Sequence, residues 1–345
     1  MFYVNKRILQ SHTTGVQRYL RSILENKDTF QIHEINPSSP LTGIKGHLWE
    51  QFLLPLKLNY NDVLWSPSNT GPIYCKAKHV VTMHDFATLD HPEWTSKGFS
   101  TLYRGILPRL AKRVDAIIAI SEYTKSRILY HTGIDESKIN VIKNGVDSRF
   151  FIKSDKDFKS YIMSKYQLPS ARYILSVSSI EPRKNIGLLL KAWGQIQHKV
   201  DDDIWLVLVG RQNPKVFSDA GLSDIPNRVC FTGFVEDEDL VAIYQNALLF
   251  SYMSLYEGFG LPPLEAMAAG IPVLTSNTTS IPEVVSDKAI TVNPLSVSEI
   301  ADNILMLVES DVLRNRLSVS GIEHAKQFSW KKTAEQTFNL LKSME

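Results

Sequence analysis

Repeated alternation is the property that most restricts the folds open to this chain. Short runs of β-branched and aliphatic residues lie at 63–65, 79–83, 116–120, 140–142, 173–177, 205–209, 229–231, 248–251 and 273–275. They are strand-like in length and nearly continuous in apolarity, which is what strands covered by helices on both faces require. Between them, apolar residues return with helical spacing at 15–26, 102–113, 186–197, 240–247 and 298–309. Alternation of this kind builds βαβ units and therefore parallel sheets.

The series runs twice. A weakly patterned polar stretch at 147–170, with Lys153, Asp155, Lys156, Asp157 and Lys159, separates the copies and reads as an inter-domain connection. A length of 345 residues suits two domains, each able to bury its own core. The expected boundaries are 1–150 and 151–328, followed at 329–345 by a helix, patterned over 330–344, that the residues alone would allow on either domain. Two doubly wound sheets place ligand crevices at the carboxyl ends of their strands, and facing one another they make a central cleft. Chemistry is therefore expected in the strand-to-helix loops.

Composition narrows the function. With 43% hydrophobic and 21% charged residues the chain is globular, and its net charge of +2 lacks the basic excess of a nucleic-acid-binding domain. The balance is uneven: residues 1–150 hold 19 Lys and Arg against 13 Asp and Glu, and residues 151–345 hold 19 against 23. Arg104, Arg109, Lys112 and Arg113 surround Leu102, Ile106, Leu107 and Leu110, a pattern open to peripheral membrane contact or to an ordinary solvated helix face. The acidic runs 201–203 and 236–239 call for no function beyond compensation of a helix dipole by the second. Cys75 and Cys230 have neither metal-ligand nor disulfide spacing, and no apolar run is long enough to span a bilayer. A cytoplasmic protein is expected.

Two loops carry the strongest chemistry. Tyr256-Glu257-Gly258-Phe259-Gly260-Leu261-Pro262-Pro263-Leu264-Glu265 follows a strand and enters a short helix at 263–269, with proline in its first turn and Gly270 after its end. A helix start approached through Gly258 and Gly260 suits an anion, and phosphate is the natural guest. Glu257 and Glu265 can each accept two hydrogen bonds from a vicinal diol. Taken alone, Glu265 is equally a dipole-compensating residue and Glu257 a solvated loop charge. The second loop, Ser178-Ser179-Ile180-Glu181-Pro182-Arg183-Lys184-Asn185, presents paired cations suited to a diphosphate, or simply an exposed basic turn. In the first half, His84-Asp85 stands just past a strand, and Ser11-His12-Thr13-Thr14-Gly15 leads into the first helix, where the Gly15 N–H suits a phosphate.

Together these residues resemble the retaining, nucleotide-sugar-dependent glycosyltransferases of family 4, which have the GT-B architecture of two Rossmann-like domains. Glu257 to Glu265 looks like that family's pair of glutamates separated by seven residues, joined to Gly258-Phe259-Gly260 and Glu181-Pro182-Arg183-Lys184-Asn185. Supporting stretches are His84-Asp85, Ala119-Ile120-Ser121-Glu122-Tyr123-Thr124 and Asn144-Gly145-Val146-Asp147. The resemblance implies that Arg183 and Lys184 bind the donor diphosphate and that Glu265 binds the nucleotide ribose. It places Glu257 on the donor sugar's hydroxyls, the backbone of Gly258, Phe259, Gly260 and Leu261 near sugar and phosphate, His84 beside the reacting centre, and Gly15 near the diphosphate. It also sends the last helix back to the N-terminal domain. The first loop departs from the family pattern, since many relatives carry two or more glycines where this chain has Thr13-Thr14-Gly15.

The implied reaction is hexosyl transfer to a lipid-linked or oligosaccharide acceptor in bacterial surface-polysaccharide synthesis of the O-antigen or capsule type. No aspartate pair with metal-site spacing stands out, so metal-independent stabilisation of the leaving diphosphate by Arg183 and Lys184 is expected. No carboxylate nucleophile can be singled out, and the resemblance implies front-face displacement, with the leaving phosphate helping to deprotonate the acceptor. General similarity to bacterial polysaccharide mannosyltransferases makes GDP-mannose the first expectation for the donor, with UDP-hexoses second. The competing readings are a GT-B nucleotide-sugar epimerase, which uses the same cleft without an acceptor, and a non-catalytic partner subunit.

Overall fold

The computed structural model of the chain describes residues 1–10, 15–41, 43–169, 172–179, 181–210 and 225–345. The apolar runs become the strands of two six-stranded parallel sheets, one in each of two units: residues 1–145 with 328–345, and residues 146–327. In the first unit β1 (Phe2–Asn5), β2 (His33–Ile35), β3 (Val63–Ser66), β4 (Lys78–Met83), β5 (Ala116–Ala119) and β6 (Ile139–Val141) lie in the order β2-β1-β3-β4-β5-β6. All four residues of β3 and of β5 are buried, as two-sided cover demands. Core residues Val81, Met83, Leu107, Leu110, Ile117 and Ile128 join the sheet to the helices Lys97–Arg113 and Glu122–Thr132.

The last helix, Trp330–Lys342, belongs to this first unit. Phe338 stacks on Phe30 with ring centroids 4.4 Å apart, Trp330 meets the edge of Tyr19, and the Thr333 hydroxyl donates to the Lys143 carbonyl at 2.8 Å. Gly145 owes its identity to this crossing, because a Cβ there would lie 2.1 Å from the Trp330 nitrogen. The Asn144–Gly145 stretch is thus a docking point for the returning chain.

The second unit places β7 (Tyr173–Val177), β8 (Trp205–Val209), β9 (Val229–Gly233), β10 (Leu249–Tyr252), β11 (Val273–Ser276) and β12 (Ile290–Val292) in the order β12-β11-β10-β7-β8-β9. The order reverses between β7 and β10, so the loops after these two strands diverge around a crevice. Those loops contain Arg183-Lys184 and Glu257–Gly260.

Two expectations need correction, and one that the sequence left open is decided. The 147–170 stretch is more than a connection: Lys156–Lys165 is a helix, capped by Asp155, which accepts from the Phe158 N–H at 2.8 Å. It packs on the helix Asp237–Asn246, where the buried Asp239 accepts from Lys165 Nζ at 2.6 Å and from the Tyr166 hydroxyl at 2.7 Å. Asp239 is therefore a packing contact, while Asp237 and Glu238 serve the dipole. Likewise, the apolar side of 102–113 is occupied by the core: Ile106, Leu107 and Leu110 are buried, leaving Arg104, Arg109, Lys112 and Arg113 as a solvated edge. The domain break falls at Gly145/Val146 rather than at 150, because Phe150 packs edge-on against Tyr244 of the second unit.

The helix Asp311–Ala325 escaped the periodicity reading because its buried positions, Leu317, Gly321 and Ala325, include two small residues. No helix among the described residues is long and apolar enough to cross a membrane.

Candidate active site

At the switch point of the second unit, the loop after β7 forms a single turn, Pro182–Lys184, and Asn185 takes a left-handed conformation (φ 58°) to start the helix Ile186–Ile196. This turn sends Lys184 inward. Its Nζ donates to Glu257 Oε1 at 2.5 Å and to the Tyr252 hydroxyl at 2.8 Å, and only 8% of either charged residue is exposed. Glu257 Oε1 also accepts from the hydroxyls of Tyr252 (2.7 Å) and Ser254 (2.6 Å). Arg183 stands on the other oxygen, with Nη1 3.6 Å from Oε2, and its Nε donates to Glu181 Oε2 at 3.0 Å.

Charge is strongly organised here. Burial alone would raise the Glu257 carboxyl, but Lys184 and Arg183, with hydrogen bonds from Lys184 and Ser254, hold it at about 2. Burial lowers the Lys184 ammonium, and Arg183 adds to that, while Glu257 opposes both. Each member of the pair keeps the other ionised, so a buried cation is fixed in place before any anion arrives. Neither the basic-turn nor the solvated-carboxylate reading fits this geometry.

A third loop, after β11, braces the motif. Thr279, left-handed at φ 58°, accepts the Glu257 N–H on its hydroxyl at 3.1 Å. The Ser280 hydroxyl donates to the carbonyls of Glu257 and Phe259, both at 2.9 Å. Gly260 has φ 113° and precedes the helix Leu261–Ala268; a Cβ there would come within 2.8 Å of Ile281 Cδ1. Pro262 and Pro263 carry no N–H, so the helix start offers an anion fewer backbone donors than an ordinary first turn. Glu265 lies in that helix, buried, with Oε2 accepting from the Tyr244 hydroxyl at 3.1 Å. The two glutamates thus stand in one crevice with separate supports.

Tyr252, Ser254, Thr279, Ser280 and Tyr244 were not singled out in the sequence. Tyr252 closes an apolar run, and its hydroxyl is the one local sign of a site role. Burial raises that phenol well above its ordinary value, with Glu257 adding to the effect, so it donates to the carboxylate as a neutral group. Tyr252→Phe is expected to lower kcat about tenfold and stability by about 1–2 kcal/mol, as a hydrogen bond to a buried charge is lost. Steady-state kinetics and thermal unfolding check this; donor affinity should stay within about twofold, since the cations remain.

In the first unit, His84 follows β4 and is buried. Its Nε2 lies 2.9 Å from the Pro67 carbonyl, which can only accept, so Nε2 carries a proton. The ring meets Tyr19 edge-on at 4.8 Å, and burial pushes its pKa below the usual histidine range against the pull of Pro67 and Asp85. The imidazole is neutral, with Nδ1 as its acceptor. Gly15 opens the helix Gly15–Glu25; residues 11–14 of its loop, and Ile180 of the Arg183 loop, lie outside the described residues.

Two Rossmann-like units, with a cation–carboxylate set buried at the switch point of the second, define a glycosyltransferase of the GT-B fold. Comparison with known proteins agrees. Residues 160–324 match the family model for glycosyl transferases group 1, and residues 59–150 that for glycosyltransferase family 4. The chain is 32% identical over 290 residues to O-antigen chain mannosyltransferase B of Escherichia coli, covering 82% of this chain and 75% of that one. It is 33% identical over 267 residues to the serotype-specific mannosyltransferase WbdA of Escherichia coli, where it spans 74% of its own length but only 32% of WbdA. Its fold is similar to that of Anabaena HepE solved with UDP-glucose, at a TM-score of 0.77 and 19% identity over 99% of both chains. The chain belongs to glycosyltransferase family 4.

Proposed function

We propose that this enzyme transfers mannose, with retention of configuration, from GDP-mannose to a lipid-linked or oligosaccharide acceptor during bacterial O-antigen or capsule synthesis, working in the cytoplasm at the membrane's inner face. The observation that carries the transfer chemistry is the buried Lys184–Glu257 contact beside Arg183. Breaking the bond between C1 of the sugar and its phosphate oxygen leaves the electron pair, and negative charge, on the departing diphosphate. Arg183 and Lys184 are cations already in position to stabilise that charge, with no reorganisation at the moment of reaction and no metal. Glu257 Oε1 is taken by three donors, so Oε2 meets the sugar hydroxyls. Glu265 takes the ribose. His84, whose Nε2–H is committed to Pro67, serves the sugar as an acceptor through Nδ1. The acceptor oxygen bonds to C1 on the face the phosphate leaves, and its proton passes to the departing phosphate oxygen.

The names of the two Escherichia coli relatives support mannose over other hexoses. An epimerase or a silent subunit has no comparable support. A thermal-shift panel of GDP, UDP, ADP and their common sugars, run with EDTA, tests the donor. GDP and GDP-mannose are expected to respond, a ligand at 100 times its dissociation constant adding roughly 2.7 kcal/mol. A response to UDP sugars alone overturns the donor assignment, and abolition of binding by EDTA overturns the metal-independent reading.

A further inference from the structure

His84 is gripped from two sides, and most of the grip comes from one loop. The segment at 67–73 leaves β3 beside the end of β4, to which β3 is paired. Its Pro67 carbonyl takes the proton of His84 Nε2 at 2.9 Å. Two residues on, the half-buried Asn69 reaches the backbone: Oδ1 accepts the His84 N–H at 2.6 Å, and Nδ2 donates to the Asp85 carbonyl at 3.0 Å. One of these partners can only donate and the other can only accept, so a single orientation of the amide satisfies both. From the opposite side, on the helix Glu122–Thr132, the Thr124 hydroxyl donates to the His84 carbonyl at 3.2 Å.

Such a grip positions a side chain only if the loop that makes it is itself fixed. Ser66, from which the loop departs, lies 2.9 Å from Nε2 of the buried His79 on β4. The Thr70 hydroxyl accepts from Arg7 at 3.3 Å, and Arg7 is anchored in turn on the buried Glu50 carboxylate at 2.9 Å. Gln51 closes the far end twice, donating to the Gly71 carbonyl at 2.8 Å and accepting the Ile73 N–H at 3.0 Å. At Gly71 the packing leaves no room for a side chain, since a Cβ would come within 2.5 Å of Ser66 Oγ. We infer that Asn69 is a positioning residue for transfer: its clamp on the backbone of His84 and Asp85 seats the imidazole on the Pro67 carbonyl, so that Nε2 keeps the proton and Nδ1 is presented as an acceptor. Without the clamp the ring is free to adopt the other tautomer, in which Nδ1 carries the proton and cannot accept. The inference rests on the reading of His84 as an acceptor for the donor sugar.

Asn69→Ala, read by imidazole NMR and by kinetics, provides the test. In protein with isotope-labelled histidine nitrogens, the two His84 signals are assigned by their loss in His84→Ala. They are expected to be well separated in the parent and to draw together in Asn69→Ala as the tautomers mix. In the same variant kcat should fall about 10–100-fold, the cost of a misplaced group in the reacting geometry. Nucleoside-diphosphate affinity should stay within about twofold, because the groups proposed to hold the nucleotide belong to the second unit. Thr124→Val, which removes the hydroxyl at little change in volume, should move both readouts the same way, and Thr124→Ser should restore them; this pair decides the matter if Asn69→Ala does not fold. Added to His84→Ala, Asn69→Ala should cost less than about a further twofold, since the group it positions is gone. Unchanged nitrogen signals in Asn69→Ala and Thr124→Val, or losses that multiply in the double variant, overturn the inference. Failure of the underlying reading looks different: His84→Ala then transfers at the parent's rate while the nitrogen signals of Asn69→Ala still converge, and the inference falls with it.

Discussion

Lys184→Met is expected to lower kcat/KM about 10³-fold, the scale on which one buried, preorganised donor to a developing anion counts. It should also destabilise the second unit by about 3–5 kcal/mol, because Glu257 is left as a buried carboxylate without its principal counter-charge. The two effects are separable. In Lys184→Met combined with Glu257→Gln the orphaned charge is gone, so most of the lost stability should return while transfer stays abolished. Thermal unfolding and steady-state transfer on the three proteins decide the matter. Full activity in the single variant would remove Lys184 from the mechanism. Persistent instability in the double variant would show that packing, not charge pairing, is what the lysine supplies.

Glu265→Ala gives the second large effect, and it falls on a different quantity. Glu265 accepts from the Tyr244 hydroxyl at 3.1 Å and belongs to the helix Leu261–Ala268. Its proposed work is to accept hydrogen bonds from the ribose hydroxyls, which take no part in the reaction. Loss of hydrogen bonds to a charged acceptor at about 1.5–3 kcal/mol should raise the nucleoside-diphosphate dissociation constant about 10–100-fold. At saturating donor kcat should change less than about threefold, the signature of uniform binding. Glu257→Gln should show the reverse, a fall in kcat of about 10²-fold with nucleotide affinity nearly intact. Calorimetry with the nucleoside diphosphate and kinetics at saturating donor distinguish the pair. Identical profiles for both variants would dissolve the division of labour between the two glutamates.

Much of this was legible in the chain. Strands buried on both faces must be apolar almost throughout, so β3, β5, β7, β8 and β11 declared themselves within a residue or so. The strands β1, β2 and β12 did not. β2 has three residues with His33 and Glu34 exposed, and β12 holds an exposed Thr291, so neither offers a continuous apolar run. Arg183, Lys184, Glu257 and Glu265 stood out because cations and acids in strand-to-helix loops are chemistry without an evident structural use. The residues that orient them were invisible for the opposite reason. Tyr252 and Tyr244 look like core, and Thr279 and Ser280 look like loop, until register places Tyr252 beside Thr275 and Phe250 beside Leu175.

The sequence by itself determined the two parallel sheets, the places where chemistry had to be sought and the charges available there, since periodicity and loop composition are local properties. Only the tertiary structure decided that Lys184 and Glu257, 73 positions apart, share a buried ion pair rather than facing solvent separately. It alone, too, settled from the residues in hand that the last helix docks at Lys143, 190 positions before Thr333. Local pattern specifies which elements form; which distant side chains meet depends on strand order, where a pairing of two strands carries every loop at their ends with it.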